Sequence, residues 1–285
     1  MEIKTWGQAL DYTFKTRHSW RHGNGRKTAE INSSHFTRLR GTSFPLTKIT
    51  QPVITQVGIE LEDEGKSDAT INRIVSAVST VLNHCAFDGL IPTPAKFRRR
   101  KESPGRVNFY TKEEVDQLYH ASLDPFMRTD AAEIILVAAY TGMRQGELLK
   151  LKARDVDLGL QTIFIGGRPD NATKTNDWRS VPIHNHVRDI LTRRLDVREP
   201  HHPMFASDWS NKDQLLRTFR KVNNYIGKPE EYVFHTLRHS FGTWCAEAGV
   251  PVRTIMDLMG HKRIETTLRY AKTTDKARTE ALSLI

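Results

Sequence analysis

Strand-like alternation occurs at one place in this chain, and that confines it to a mainly helical fold. Thr162–Ile165 and Arg179–Ile183 alternate on either side of an interval rich in Gly, Asn and Asp, the pattern of two antiparallel strands joined by a loop. The rest reads at helical spacing. Thr5–Phe14 sets Trp6, Leu10 and Phe14 four residues apart. The strongest stripe begins near Ser67–Asp68 and places Ile71, Ile74, Val78, Val81 and Leu82 on one face, with Gly89, Pro92 and Pro94 ending it. Thr111 and Glu114 form a capping box ahead of a helix through Leu118. An apolar helix over Ala131–Tyr140 ends at Thr141–Gly142, and another begins near Arg144 with Leu148, Leu149 and Leu151. The expected fold class is mainly α with a small antiparallel β-sheet.

At 285 residues the chain has room for two domains, each with its own core. Lys96–Lys101 (KFRRRK) gives five basic residues in six, followed by Pro104–Gly105, and this is the natural boundary. We expect a helical domain over 1–92, a basic linker over 93–110, and a second domain over 111–285 that carries the sheet and a C-terminal tail. The basic run suits either a solvated linker or a strap across a phosphate backbone. The formal charge of +10, from 43 basic and 33 acidic residues, favours a polyanionic partner, nucleic acid ahead of a membrane surface. Cys85 and Cys245 make no CxxC pair and read as buried free thiols of a reducing compartment. The start, MEIKTWGQAL, carries no apolar signal segment, and the longest apolar run, Ile134–Ala139, is too short to span a bilayer. A cytoplasmic, nucleoid-associated protein is expected.

Residues 235–240, HTLRHS, put His235, Arg238 and His239 within reach of one helix face. A zinc protease motif would need Glu where Thr236 stands, and Arg238 would repel a metal. Imidazole and guanidinium together suit an anion, with phosphate the foremost candidate. Three other places carry groups of the same kind: Arg144 at a helix start, Lys174 between the strands, and His261 after Gly260. Tyr270 follows nine positions after His261. On one straight helix those two would face opposite ways, so a shared site requires the chain to bend, and Gly260 supplies a stop just before His261.

In that order the residues resemble the tyrosine recombinase, or phage integrase, family. Thr141–Leu151 (TGMRQGELLKL) looks like its first arginine motif, and His235–His261 looks like its H-x-x-R-H segment running on to the G-H pair. Tyr270 occupies the nucleophile position, and Lys174 falls where the family keeps a hairpin lysine. The resemblance covers about 111–275 in detail; residues 1–92 are similar to the family's helical core-binding domain in size and pattern only. Lys272 stands where many members carry histidine.

The resemblance implies a site-specific DNA recombinase that cuts and rejoins strands through a 3′-phosphotyrosyl link and a Holliday junction. Arg144 and Arg238 would hold the non-bridging phosphate oxygens, with His261 as a further donor. Tyr270 would attack, His235 would act as base or proton mediator, and Lys174 would protonate the departing 5′-oxygen. His239 is read as a supporting hydrogen bond, and Glu147 as the residue that orients Arg144 or caps its helix. This chemistry calls for no metal and no ATP. Implied partners are double-stranded DNA, a homotetramer on two sites and accessory DNA-bending proteins, in a bacterial host. The apolar tail Ala281–Ile285 fits docking on a neighbour or packing on its own domain. Three other readings stand beside this one: a type IB topoisomerase-like relaxing enzyme, a non-catalytic DNA-binding regulator, and a zinc hydrolase using the histidines, including His184, His186, His201 and His202.

Overall fold

The computed structural model describes residues 2–22, 24–102, 107–168, 178–205, 209 and 212–270. The chain divides into two compact units, Met1–Gly105 and Arg106–Ile285. Lys174, Lys272 and the Ala281–Ile285 tail lie outside the described residues.

The first unit is helical: α1 (Trp6–Thr16), α2 (His18–Arg21), α3 (Asn24–Arg40), α4 (Gln51–Asp63) and α5 (Asp68–Phe87). Thr5 and Gln8 close a capping box on α1, and Ser67 caps α5. The stripe predicted on α5 is the wall of this core, with Ile71, Ile74, Val78, Val81 and Leu82 all at most 2% exposed. Trp6 and Phe36 meet edge to face against it, ring centroids 4.8 Å apart. Asn72 interrupts the apolar pattern for a reason the sequence hid. Its Nδ2 donates to the Arg100 carbonyl at 3.0 Å, and its Oδ1 accepts from the Arg100 N–H at 2.9 Å. A buried side chain thus pairs with a passing backbone as a neighbouring strand would. The basic run is stitched to its own unit. Arg100 bonds Glu62 and Asp68, Arg99 bonds the Asn72 carbonyl and Ser76, and the Arg98 N–H donates to Gln51.

The second unit is built around a helix with no polar face. α6 (Lys112–Leu123), opened by the Thr111–Glu114 capping box, is followed by α7 (Thr129–Thr141), buried without a break from Ala131 to Thr141. A helix apolar all round must be enclosed, and α6, α9 (Asn185–Asp196), α10 (Lys212–Tyr225) and α11 (Phe234–Glu247) pack on it. Its buried acid, Glu133, is neutralised by Arg194 at 2.6 Å and Arg193 at 3.0 Å. α7 stops at Gly142, whose φ of +62° is left-handed and whose missing Cβ would strike the Phe241 ring at 2.5 Å. α8 (Gln145–Lys150) follows at once.

The sheet forms where the alternation predicted it, with one addition. β2 (Thr162–Ile165) pairs antiparallel with β3 (Arg179–Pro182), setting Ile163 opposite Val181, and a two-residue strand β1 (Val156–Asp157) joins the other edge of β2. β1 is too short to leave a sequence signal. Two further helices follow α11, α12 (Val252–Met259) and α13 (Ile264–Leu268). Among the described residues no helix is long and apolar enough to cross a membrane. Cys85 is buried as expected, whereas Cys245, expected to be buried, is half-buried beside Trp244; on α12 the core position is taken by Met259, with Leu258 half-buried.

Candidate active site

The site is assembled around Glu147. As the third residue of α8 it reaches back, Oε2 accepting the Arg144 N–H at 2.8 Å and Oε1 the Arg144 guanidinium at 2.9 Å. Arg179, at the start of β3, meets the same carboxylate with two parallel bonds of 3.1 and 2.7 Å. Burial by itself would raise the pKa of this acid, but the two guanidiniums and the backbone bond hold it at about 2. Glu147 is 7% exposed and ionised, so it locks sheet to helix and fixes both arginines. Glu147 therefore both caps α8 and orients Arg144.

The C-terminal end of α12 supplies the opposite wall. Gly260 turns left-handed there at φ +62°. The freed carbonyls at this turn are taken up by the cations: Arg144 bonds the Gly260 oxygen at 2.9 Å, Arg179 the Leu258 oxygen at 2.9 Å, and Arg238 the Met259 oxygen. Lys or Arg at a helix C-terminus meets both unpaired carbonyls and the negative end of the helix dipole. Arg238, 2% exposed, also donates to the Gly142 oxygen at 2.6 Å. Burial first, and then the nearby Arg144 cation, pull its pKa down to about 9. It stays protonated at pH 7, in a cage where three guanidiniums face one carboxylate. An arriving anion relieves that excess.

Gly260 also ends α12 so that α13 runs separately, which brings His261 and Tyr270 to one place. Their rings lie 13° from parallel with centroids 6.4 Å apart. Thr267 Oγ1 engages His261 Nδ1 at 2.8 Å, which leaves Nε2 as the nitrogen able to turn to a ligand. Tyr270 is 6% exposed and its ring lies on Gly242, where a Cβ would come within 2.9 Å of Cε2. Its hydroxyl stands 2.6 Å from His239 Nδ1. Burial raises the Tyr270 pKa, opposed by the Arg238 and Arg269 cations. His261 and His239 are both pushed down to about 4, by burial first and by neighbouring positive charge second. His235 lies at the site's surface. Partial desolvation, Arg238 and Arg144 lower its pKa.

Arg144, His235, Arg238, His261 and Tyr270 thus converge, although 126 positions separate the first from the last. The Arg179 guanidinium is committed to Glu147 and Leu258. Sequence reasoning missed Arg179 as the second clamp on Glu147, His239 as the partner of the Tyr270 hydroxyl, and Gly242 as the floor under its ring. The adjacent histidine in HTLRHS was the available hint for His239; nothing local marked the other two. A cleft of about 460 Å³ opens beside Arg144, Arg179 and His261, with Trp178 on its rim. Among the other histidines, His186 stacks on Tyr140, His184 lies tilted against the same ring, and His201 bonds Arg154. Among the described residues no three His, Cys, Asp or Glu side chains are grouped to hold a metal ion.

The chain is similar to several known proteins. The phage integrase family model matches residues 108–277. Tyrosine recombinase XerA of Thermococcus kodakarensis is 31% identical over 219 residues, covering 75% of this chain and 74% of its own. The integrase of Escherichia phage P2 is 28% identical over 244 residues, 83% of this chain and 65% of the phage protein. The Tn1549 transposon integrase, solved with a circular intermediate DNA, superposes with a TM-score of 0.78 over 99% of this chain and 100% of that one, at 18% identity; at that identity the likeness speaks for the fold. Together these matches define the class, an enzyme of the tyrosine site-specific recombinase type. The chain belongs to the phage integrase family.

Proposed function

We propose that this recombinase cleaves and rejoins double-stranded DNA through a 3′-phosphotyrosyl link at Tyr270, passing through a Holliday junction in a homotetramer on two sites. The observation that carries the reading is a buried tyrosine hydroxyl seated within the field of Arg238, at the edge of a cage that also holds Arg144 and His261. Arg144 and Arg238 hold the non-bridging oxygens, where charge grows during in-line attack. His261 adds a donor through Nε2, His235 mediates proton transfer, and Lys174 protonates the leaving 5′-oxygen. The helical domain over 1–92, the basic linker over 93–110 and the catalytic domain over 111–285 each engage the duplex. Accessory DNA-bending proteins complete the assembly. Integration or excision of a phage or mobile element is the task we assign, with chromosome-dimer resolution and inversion switching as the alternatives.

A duplex nicked close to the cut site tests this. After cleavage the short fragment diffuses away and traps the adduct. Transfer of the trapped strand to a different duplex is expected. Return of strands to their original partners alone, with relaxation of supercoils, would favour the type IB reading. The same assay examines the floor of the site. In Gly242→Ala the new Cβ would press on Tyr270 Cε2 at 2.9 Å and Met259 Sδ at 3.0 Å. Displacing an attacking group by a fraction of an ångström costs about 10- to 100-fold in rate. Adduct formation should slow by that factor with the far-UV spectrum unchanged; a rate equal to wild type would show that the ring position does not limit attack.

A further inference from the structure

When the Tyr270 oxygen bonds to phosphorus its proton must leave, and the geometry points to an acceptor other than His235. The described hydrogen-bond partner of the hydroxyl is His239 Nδ1, at 2.6 Å. A phenol is a stronger acid than a neutral imidazole N–H, so the favoured arrangement has Tyr270 donating to a bare Nδ1 lone pair. His239 is half-buried, while His235 is exposed and meets it edge to face, centroids 4.9 Å apart and planes at 84°. A shielded acceptor is thus backed by a second imidazole that reaches water.

We propose that His239 is the base that takes the Tyr270 proton in the cleavage step, with His235 behind it as the exit to solvent. The inference rests on the reading of Tyr270 as nucleophile. The Tyr270 O–H bond breaks and its proton passes to His239 Nδ1. The oxygen's electron pair forms the bond to phosphorus, the bond to the 5′-oxygen breaks, and that oxygen takes a proton from the acid assigned above to Lys174. On rejoining, the steps reverse and His239 returns its proton to Tyr270.

The electrostatics fit a base that is armed by its substrate. Among the described residues, the titratable and charged groups facing His239 are His235 and Arg238 on α11, and Arg269 and Tyr270 after α13. Burial, followed by His235, Arg269 and Arg238, keeps the ring neutral at pH 7. A bound phosphodiester offsets the two guanidinium charges, and the imidazole regains basicity when there is a proton to accept.

The test uses the full chain, the nicked duplex, and single-turnover rates of adduct formation between pH 5 and 9, with DNA affinity measured alongside. His239→Phe keeps ring volume without an acceptor. His239→Asn keeps an acceptor near the Nδ1 position that cannot take the proton. Both should bind DNA like wild type, form adduct about 100-fold more slowly at pH 7, and lose the fall in rate that wild type shows on the acid side. An Asn variant within about threefold of wild type, or one that keeps the acid-side fall, would overturn the assignment and leave the contact as a simple tether. Adduct in Tyr270→Phe would remove the nucleophile and with it this role. An inert Tyr270→Phe beside an active His239→Asn would remove the role alone.

Discussion

Tyr270→Phe protein should form no detergent-resistant adduct with nicked DNA while folding and binding DNA normally. The substitution deletes one oxygen. The ring keeps its seat on Gly242 and Met259 and beside His261, so the small core of Ile255, Met259 and Tyr270 stays filled. What disappears is the hydrogen bond to His239, a net loss of about 1 kcal/mol in stability, and the only atom at position 270 able to bond to phosphorus. Removing the nucleophile of a covalent mechanism costs more than about 10⁴-fold in rate. The measurement is the shifted band on a denaturing gel. A band of wild-type intensity would mean that another residue attacks and that Tyr270 is a packing residue.

Glu147→Gln should strongly destabilise the second unit. Gln has nearly the shape of Glu but no charge, and one of its two ends becomes a donor facing the donors of Arg179. Arg179, with an 11% exposed side chain, would be left as a largely buried cation without its carboxylate. Breaking a buried pair in this way costs about 3–5 kcal/mol, which for a unit of this size lowers the melting temperature by roughly 10 °C. The charge also gives a sign for acid. The folded pKa of about 2 lies below the ordinary 4.5, so the stabilisation is complete above about 4.5 and fades as pH falls towards 2. His239 and His261, held at about 4, bind protons more readily when unfolded, so they begin to withdraw stability already as pH drops below about 6.5. Melting curves from pH 7 down to 3 should therefore fall throughout for wild type and less steeply for Glu147→Gln at the acid end. Equal melting temperatures at pH 7 would show that Glu147 is not the keystone of the site.

Much of the architecture was legible because it follows from local rules. The α5 stripe, the Thr111–Glu114 box, the Gly142 and Gly260 stops and the alternation in β2 and β3 are each set by periodicity, capping or backbone sterics, which act over a few residues. The fate of the basic run was not legible. Whether Arg99 and Arg100 face solvent or a neighbour depends on Asn72, some 28 positions away, being aimed at their backbone.

The candidate residues differ in the same way. By itself the sequence determined the chemical types, their order, the stop at Gly260 that separates His261 from Tyr270, and the capping relation of Glu147 to Arg144, three residues apart on one helix end. Tertiary structure alone decided that Arg179 would be drawn to Glu147, that Gly242 would lie under the Tyr270 ring, and that His239, one residue from the expected cation, would meet the hydroxyl. Hydrogen bonds and buried charges act over about 3 Å in space, and no spacing along a chain records which distant side chains will come within that reach once α11, α12, β3 and the segment after α13 have packed.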